Sequence, residues 1–321
     1  MRTAAPLTVM AMFDRLTANS AARVTIGAFL RLLAANPRLL TLIRPVANTA
    51  IAGLSPVVAG TRVEPVDASL RGEWVRAPGV RDSAGVLMVL HGSGYVVCSP
   101  RTHRGFASYL SRSSGLPALV VQYPLAPEST FPAAEDAAMA AYRWLLSQGY
   151  DPRKVVIAGD SAGGHLAVAV ALRAKREGLP APAALALWGP LIDPSYRAPM
   201  ADPRVRRQPF DPRAAERALA LYVGAADADD PRLCLLNADL AGLPPIQLHY
   251  GTREVMRADA EAFAARVMAS GGYCEQRVWT GLAHAYWMFP RSQDGSLDSM
   301  TTGGEFLRAA VAQPDQPMAQ E

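Results

Sequence analysis

Lysine is nearly absent from this chain. Of 32 basic residues among 321, only Lys154 and Lys175 are lysines, and the rest are arginine. The net charge of +4 is scattered, which excludes the clustered basic face that nucleic acid requires. Cysteine is also scarce: Cys98, Cys234 and Cys274 are odd in number and lack metal-ligand spacing. That excludes a disulfide framework and a zinc motif, and it reads as reduced thiols in a cytoplasmic protein. No 18-residue uncharged apolar run occurs, which excludes a transmembrane helix. Arg2 followed by Ala4 to Phe13 faintly resembles a short signal region, but Asp14 and Arg15 follow at once without a clean cleavage site. Acids are missing between Asp14 and Glu64, where six arginines fall.

What is present is apolar. Half the residues are hydrophobic, enough for one large α/β domain with an appended subdomain. Residues 1–54 read as helical, with apolar positions such as Phe29, Leu32, Leu40 and Ile43, and with Pro37 and Pro45 as interruptions. Such helices could lie on a membrane surface with a basic face, but their charge density is low for that. A lid over an apolar pocket accounts for them better. Arg62–Val66 and Arg71–Val75 have edge-strand character. Val86–Leu90, Ala118–Tyr123, Lys154–Ala158 and Ala183–Trp188 are apolar runs of buried parallel strands, separated by helices over about 102–113, 133–146 and 165–175. This alternation specifies a doubly wound, mostly parallel sheet flanked by helices, with its crevice at the C-terminal strand ends. The rhythm breaks over 192–239, where an isolated helix, Arg213–Tyr222, sits in an insertion. Strand Pro245–Gly251, a helix over 255–270, strand Glu275–Trp279 and a helix over 304–311 complete the domain. Residues 55–191 and 240–312 therefore form the main body, and 313–321 a frayed polar tail.

One stretch carries chemistry. Gly159-Asp160-Ser161-Ala162-Gly163-Gly164 joins an apolar strand to an apolar helix. That is the context of a nucleophile elbow, whose tight turn needs small flanking residues and places the serine at a helix N-terminus. An ordinary serine N-cap is the bland alternative. A nucleophilic serine needs an imidazole base oriented by a carboxylate. Of five histidines, His91 and His284 occupy loops at strand ends. His103, His165 and His249 read as a surface helix residue, a residue of the elbow helix and a strand residue. Glu254, just past a strand end, faces the crevice and is the candidate acid. Asp259 is the alternative acid, with an exposed or capping helix carboxylate as its bland reading. His91-Gly92-Ser93-Gly94 matches a loop that supplies oxyanion amides, from Ser93 and Gly94 with Ala162 as a further donor. Tyr95, Tyr222 and Trp287 are candidate pocket-lining residues, as are Trp188 and Phe289, with Trp188 the one best suited to plain core.

Together with Tyr123-Pro124-Leu125-Ala126-Pro127-Glu128 and Leu240-Ala241-Gly242-Leu243-Pro244-Pro245, these motifs resemble the hormone-sensitive-lipase-like esterases, the α/β hydrolase fold-3 group. The resemblance covers roughly 85–287. It implies an α/β-hydrolase fold with a helical cap built from 1–54 and 192–239, and no metal or organic cofactor. It also implies carboxylic ester hydrolysis through an acyl-enzyme, with preference for short to medium acyl chains. Asp160 and Glu128 would be structural rather than catalytic. An amidase or formamidase shares the same groups, whereas a ligand receptor on this fold would lack the histidine found at 284. A homodimer is common in such proteins but leaves no unambiguous mark here. Two departures stand out: Ser93 replaces a middle glycine, and Glu254 stands where many members carry aspartate.

Overall fold

The computed structural model describes residues 37–66, 70–82, 85–92, 94–202, 205, 212–290 and 295–312. Eight strands form one sheet in the order β1-β2-β4-β3-β5-β6-β7-β8. β1 (Arg62–Pro65) and β2 (Gly72–Arg76) pair antiparallel at one edge, and β2 is antiparallel to β4 (Ala118–Val121). From there β3 (Val86–Leu90), β5 (Val155–Asp160), β6 (Ala184–Trp188), β7 (Ile246–Arg253) and β8 (Cys274–Ala283) run parallel.

The central strands are apolar at every position because both faces are covered. Val86, Met88 and Leu90 pack on one side with α3 (Ala133–Ser147), α4 (Ala162–Arg176) and α7 (Arg257–Ala269). Leu87 and Val89 point the other way, into α2 (Pro100–Ser114) and α8 (Ser296–Ala312). Side chains alternating across the pleat thus split one run between two cores. β5 repeats the division, with Val155 and Ile157 on the first side and Val156 and Ala158 on the second.

Several elements differ from their sequence expectation. α8 begins at Ser296, eight residues before the expected start at 304. Gly303 and Gly304 mimic a helix start but lie inside the helix: a Cβ on Gly303 would sit 2.5 Å from the Trp188 ring. Pro45 does not end the N-terminal helix. α1 spans Pro37–Ala52 with Pro45 inside it. The expected helices over 1–36, Ser93 and the tail over 313–321 lie outside the described residues. Among its described residues the insertion carries a short α5 (Arg197–Ala201) and α6 (Pro212–Val223).

α1 and α6 stand above the C-terminal strand ends and wall a cavity of about 390 Å³. α1 contributes Leu40, Ala47 and Ile51, and α6 contributes Ala214, Ala218 and Leu219. Arg44 fastens α1 to the body. Its guanidinium donates to the carbonyls of Val96 (2.9 Å) and Ala126 (2.7 Å) and pairs with both oxygens of Glu128. Asn48 adds a bond from the Cys98 amide, 2.9 Å. No helix among the described residues is long and apolar enough to cross a membrane.

Candidate active site

Ser161 follows the central strand β5 and precedes α4 with φ 50° and ψ −120°. A non-glycine residue in that region costs on the order of 1–3 kcal/mol and persists only where its surroundings impose it. Here the Ser161 amide donates to the Trp188 carbonyl (2.9 Å), while its own carbonyl accepts from Leu191 (2.9 Å) and His165 (3.2 Å). The glycine of the elbow is obligatory for space: a Cβ on Gly163 would lie 1.9 Å from the Leu90 carbonyl oxygen.

β7 and β8 deliver the other two groups. Glu254 follows β7 in a turn closed by its amide on the Gly251 carbonyl (3.0 Å), and it is buried. His284 follows β8 directly. Its Nδ1 lies 2.8 Å from Glu254 Oε1, and its Nε2 lies 3.2 Å from Ser161 Oγ. A carboxylate only accepts, so Nδ1 carries the proton and Nε2 is left bare toward the serine hydroxyl. Burial opposes a charge on His284, but the adjacent Glu254 carboxylate, aided by Asp160, outweighs it and raises the imidazole pKa. Gly189 is a residue that motif reading missed. With φ +45°, it passes so close that a Cβ would meet Glu254 Oε2 at 2.7 Å and the Trp287 ring at 2.9 Å. The only sequence signal was a Gly-Pro pair closing a strand.

Of the oxyanion candidates, Gly94 lines the cavity and Ala162 begins α4, whose N-terminus favours negative charge. Ser93 falls outside the described residues. Gly92 is tied down beside them, donating its amide to Asp160 Oδ1 at 2.7 Å.

Of the five aromatic candidates for the pocket, Phe289 lines it, whereas Tyr95, Tyr222 and Trp287 do not. Tyr95 and Tyr222 stack on each other, with centroids 3.7 Å apart, and both are buried. Trp287 lies edge-on to His284, with centroids 5.2 Å apart, and its indole is used up on Asp160. The Tyr95 hydroxyl and the Trp287 indole find partners in the interior, whereas the Tyr222 hydroxyl is buried without a hydrogen bond among the described residues. The lining is mostly aliphatic instead, with Val97, Leu191, Met256 and Met288 joined by the rings of Tyr196 and Phe289 around Ser161 and His284, and with His103 and Asp160 reaching the same cavity. Trp188 is core, fully buried between α8 and β7.

Asp259 also departs from expectation. It lies in the first turn of α7, 2% exposed, and makes no bond to His284. Burial, then the neighbouring Asp193, pushes its pKa up to about 7 against the pull of Arg197. His103, read as a surface residue, is buried with its Nε2 3.2 Å from Asp160 Oδ1. α2 turns its small polar side inward, where Ser108 and Ser111 bond to backbone groups, so polarity did not mark the solvent face. His91 is buried against Tyr123, centroids 4.1 Å apart, and desolvation lowers its pKa to about 3. It holds a loop in place and does not reach Ser161. The three cysteines are free and buried, and no group of three or more His, Cys, Asp or Glu side chains among the described residues is arranged to hold a metal.

A family model for the alpha/beta hydrolase fold matches residues 87–288. An acetyl-hydrolase of Streptomyces hygroscopicus is 36% identical over 248 residues, covering 75% of this chain and 80% of its own. The carboxylesterase/phospholipase LipF of Mycobacterium tuberculosis is 37% identical over 250 residues, covering 75% of this chain and 67% of its own. The crystal structure of an esterase from the bacterial hormone-sensitive lipase family has a TM-score of 0.81 to this fold at 34% identity. That match covers 91% of this chain and 99% of that one. With its sheet order, helical layers and motif order, this chain belongs to the α/β-hydrolase family, in the hormone-sensitive-lipase-like group, and is an esterase of that group.

Proposed function

We propose that the protein hydrolyses carboxylic esters of short to medium acyl chains through a covalent acyl-enzyme. The observation that carries this reading is the relay Glu254–His284–Ser161, with spacings of 2.8 and 3.2 Å, at the floor of an apolar cavity. Ser161 Oγ attacks the ester carbonyl carbon while His284 Nε2 takes the hydroxyl proton. The carbonyl oxygen becomes an oxyanion, held by the amides of Gly94 and Ala162, with Ser93 as a further donor. His284 then gives the proton to the departing alkoxide as the carbon–oxygen bond breaks. Water, deprotonated in turn by His284, releases the acid and restores Ser161. Amides positioned in advance are worth about 10²–10³ in turnover each. The mostly aliphatic lining suits an acyl or alcohol chain.

The test is a panel of p-nitrophenyl esters from acetate to palmitate, with matched anilides, on wild type and Ser161→Ala. Turnover highest on the shorter esters, absent in the variant and low on anilides, is expected. Near-normal turnover by Ser161→Ala would overturn the nucleophile. A maximum at palmitate would overturn the chain-length preference, and faster anilide cleavage would make the protein an amidase.

A further inference from the structure

Tyr95 follows Gly94 directly, and both residues have left-handed backbone, φ +55° and +65°. Glycine adopts that conformation freely, whereas tyrosine must be held there. Contacts from several directions hold it. Its ring stacks on Tyr222 of α6 with an interplanar angle of 12°, and Phe131 packs edge-on against the far ring. Its carbonyl accepts from the Ala126 amide at 2.8 Å. Its hydroxyl lies 2.7 Å from His165 Nδ1 and 3.2 Å from the Ala162 carbonyl.

The direction of these bonds follows from His165. Its Nε2 faces the Leu233 carbonyl at 2.9 Å, which can only accept, so Nε2 carries the ring proton and Nδ1 is bare. Desolvation lowers the His165 pKa to about 4, so the ring stays neutral near pH 7. The Tyr95 hydroxyl therefore donates to Nδ1, with the Ala162 carbonyl in reach of the same hydrogen. One side chain thus connects the residue after Gly94, the residue after Ser161 and the cap helix.

We propose that Tyr95 is a positioning residue for the oxyanion site: braced by Tyr222 and anchored on His165 and Ala162, it sets the Gly94 and Ala162 amides relative to one another. This rests on the oxyanion role assigned to those amides above. Neither Tyr95 nor His165 lines the cavity, and the cap insertion enters through Tyr222 and Leu233.

The test compares wild type with Tyr95→Phe, which keeps the ring, and Tyr222→Leu, which removes the stack. Expected in both is a fall in kcat of about tenfold on p-nitrophenyl butyrate with KM within about threefold. The inhibition constant of phenylboronic acid, which adds to the serine and places an oxygen in the oxyanion site, should rise by a similar factor. A positioning role moves kcat and boronate inhibition together, whereas loss of folded protein lowers kcat and leaves the inhibition constant of the remainder unchanged. Wild-type kcat and boronate inhibition in Tyr95→Phe, or a rise in KM alone, would overturn the inference. Ser161→Ala separates the two readings: if it is inactive while Tyr95→Phe behaves as wild type, only the role of Tyr95 fails. If it stays active, the acyl-enzyme reading fails as well.

Discussion

The indole N–H of Trp287 donates to Asp160 Oδ2 at 3.0 Å, joining the loop that carries His284 to the residue before Ser161. The other oxygen of Asp160 takes the Gly92 amide and lies beside His103. A single buried carboxylate therefore ties together the three segments that carry His284, Ser161 and Gly92. Burial works against its ionisation, but His103, the Gly92 amide and the Trp287 indole outweigh it and hold the carboxyl below its ordinary pKa.

Every neighbour of Asp160 turns a nitrogen toward it, so an amide in its place would offer one acceptor and misdirect an NH₂ group. Asp160→Asn is expected to lose about 1–3 kcal/mol of stability, the cost of leaving a buried donor unpaired. Trp287→Phe, which keeps the ring beside His284, should lose about 1 kcal/mol. Urea denaturation measures both, and an Asp160→Asn midpoint equal to wild type would show that the carboxylate does not organise these loops.

In the proposed mechanism His284 must be neutral to act, so kcat/KM rises as pH rises through its pKa. The Glu254 carboxylate keeps that pKa above the ordinary value despite burial. In Glu254→Gln burial dominates, the pKa falls and the acid limb of the pH–rate profile moves to lower pH. Turnover should also fall, by up to about 10⁴ where the orienting carboxylate is lost. Asp259→Asn should leave the limb in place. If Asp259→Asn shifts it and Glu254→Gln does not, the acid has been misassigned.

The strands and the order of the site were legible because they rest on short-range patterns. An apolar run such as Val86–Leu90 can only be a strand covered on both faces, and Gly159–Gly164 encodes a turn whose crowding admits few residues. Distribution of side chains around the cavity was not legible. Tyr95, Tyr222 and Trp287 are aromatic and near the motifs, yet which way each ring points depends on partners far along the chain: His165, Phe131 and Asp160. His103 and Asp259 misled for a related reason. Polar residues on helices read as exposed, but an interior that supplies a carboxylate or tolerates a neutral acid can bury them. Gly189 was hidden because its constraint is set by Glu254 and Trp287, 65 and 98 positions away.

Asp259 also makes pH a probe of the fold apart from the chemistry. Its Oδ2 is buried without a hydrogen-bond partner in the described structure, and Asp193 stands close enough to disfavour a second charge. The helix N-terminus would favour the carboxylate form, but desolvation outweighs it, and the folded-state pKa of about 7 lies above the ordinary aspartate value near 3.9. Below pH 4 both folded and unfolded chains hold the proton, and this residue causes no pH dependence. Between pH 4 and 7 the unfolded chain releases the proton while the folded one retains it, so stability falls as pH rises. Above pH 7 both have released it and the loss levels off. Asp259→Asn abolishes this titration, so its stability relative to wild type should increase from pH 4 to pH 7 and then plateau. The increase should be on the order of a few kcal/mol. Denaturation midpoints of the two proteins across pH 4–8 check it. A difference that stays constant, or that shrinks as pH rises, would mean that Asp259 is ionised in the folded protein.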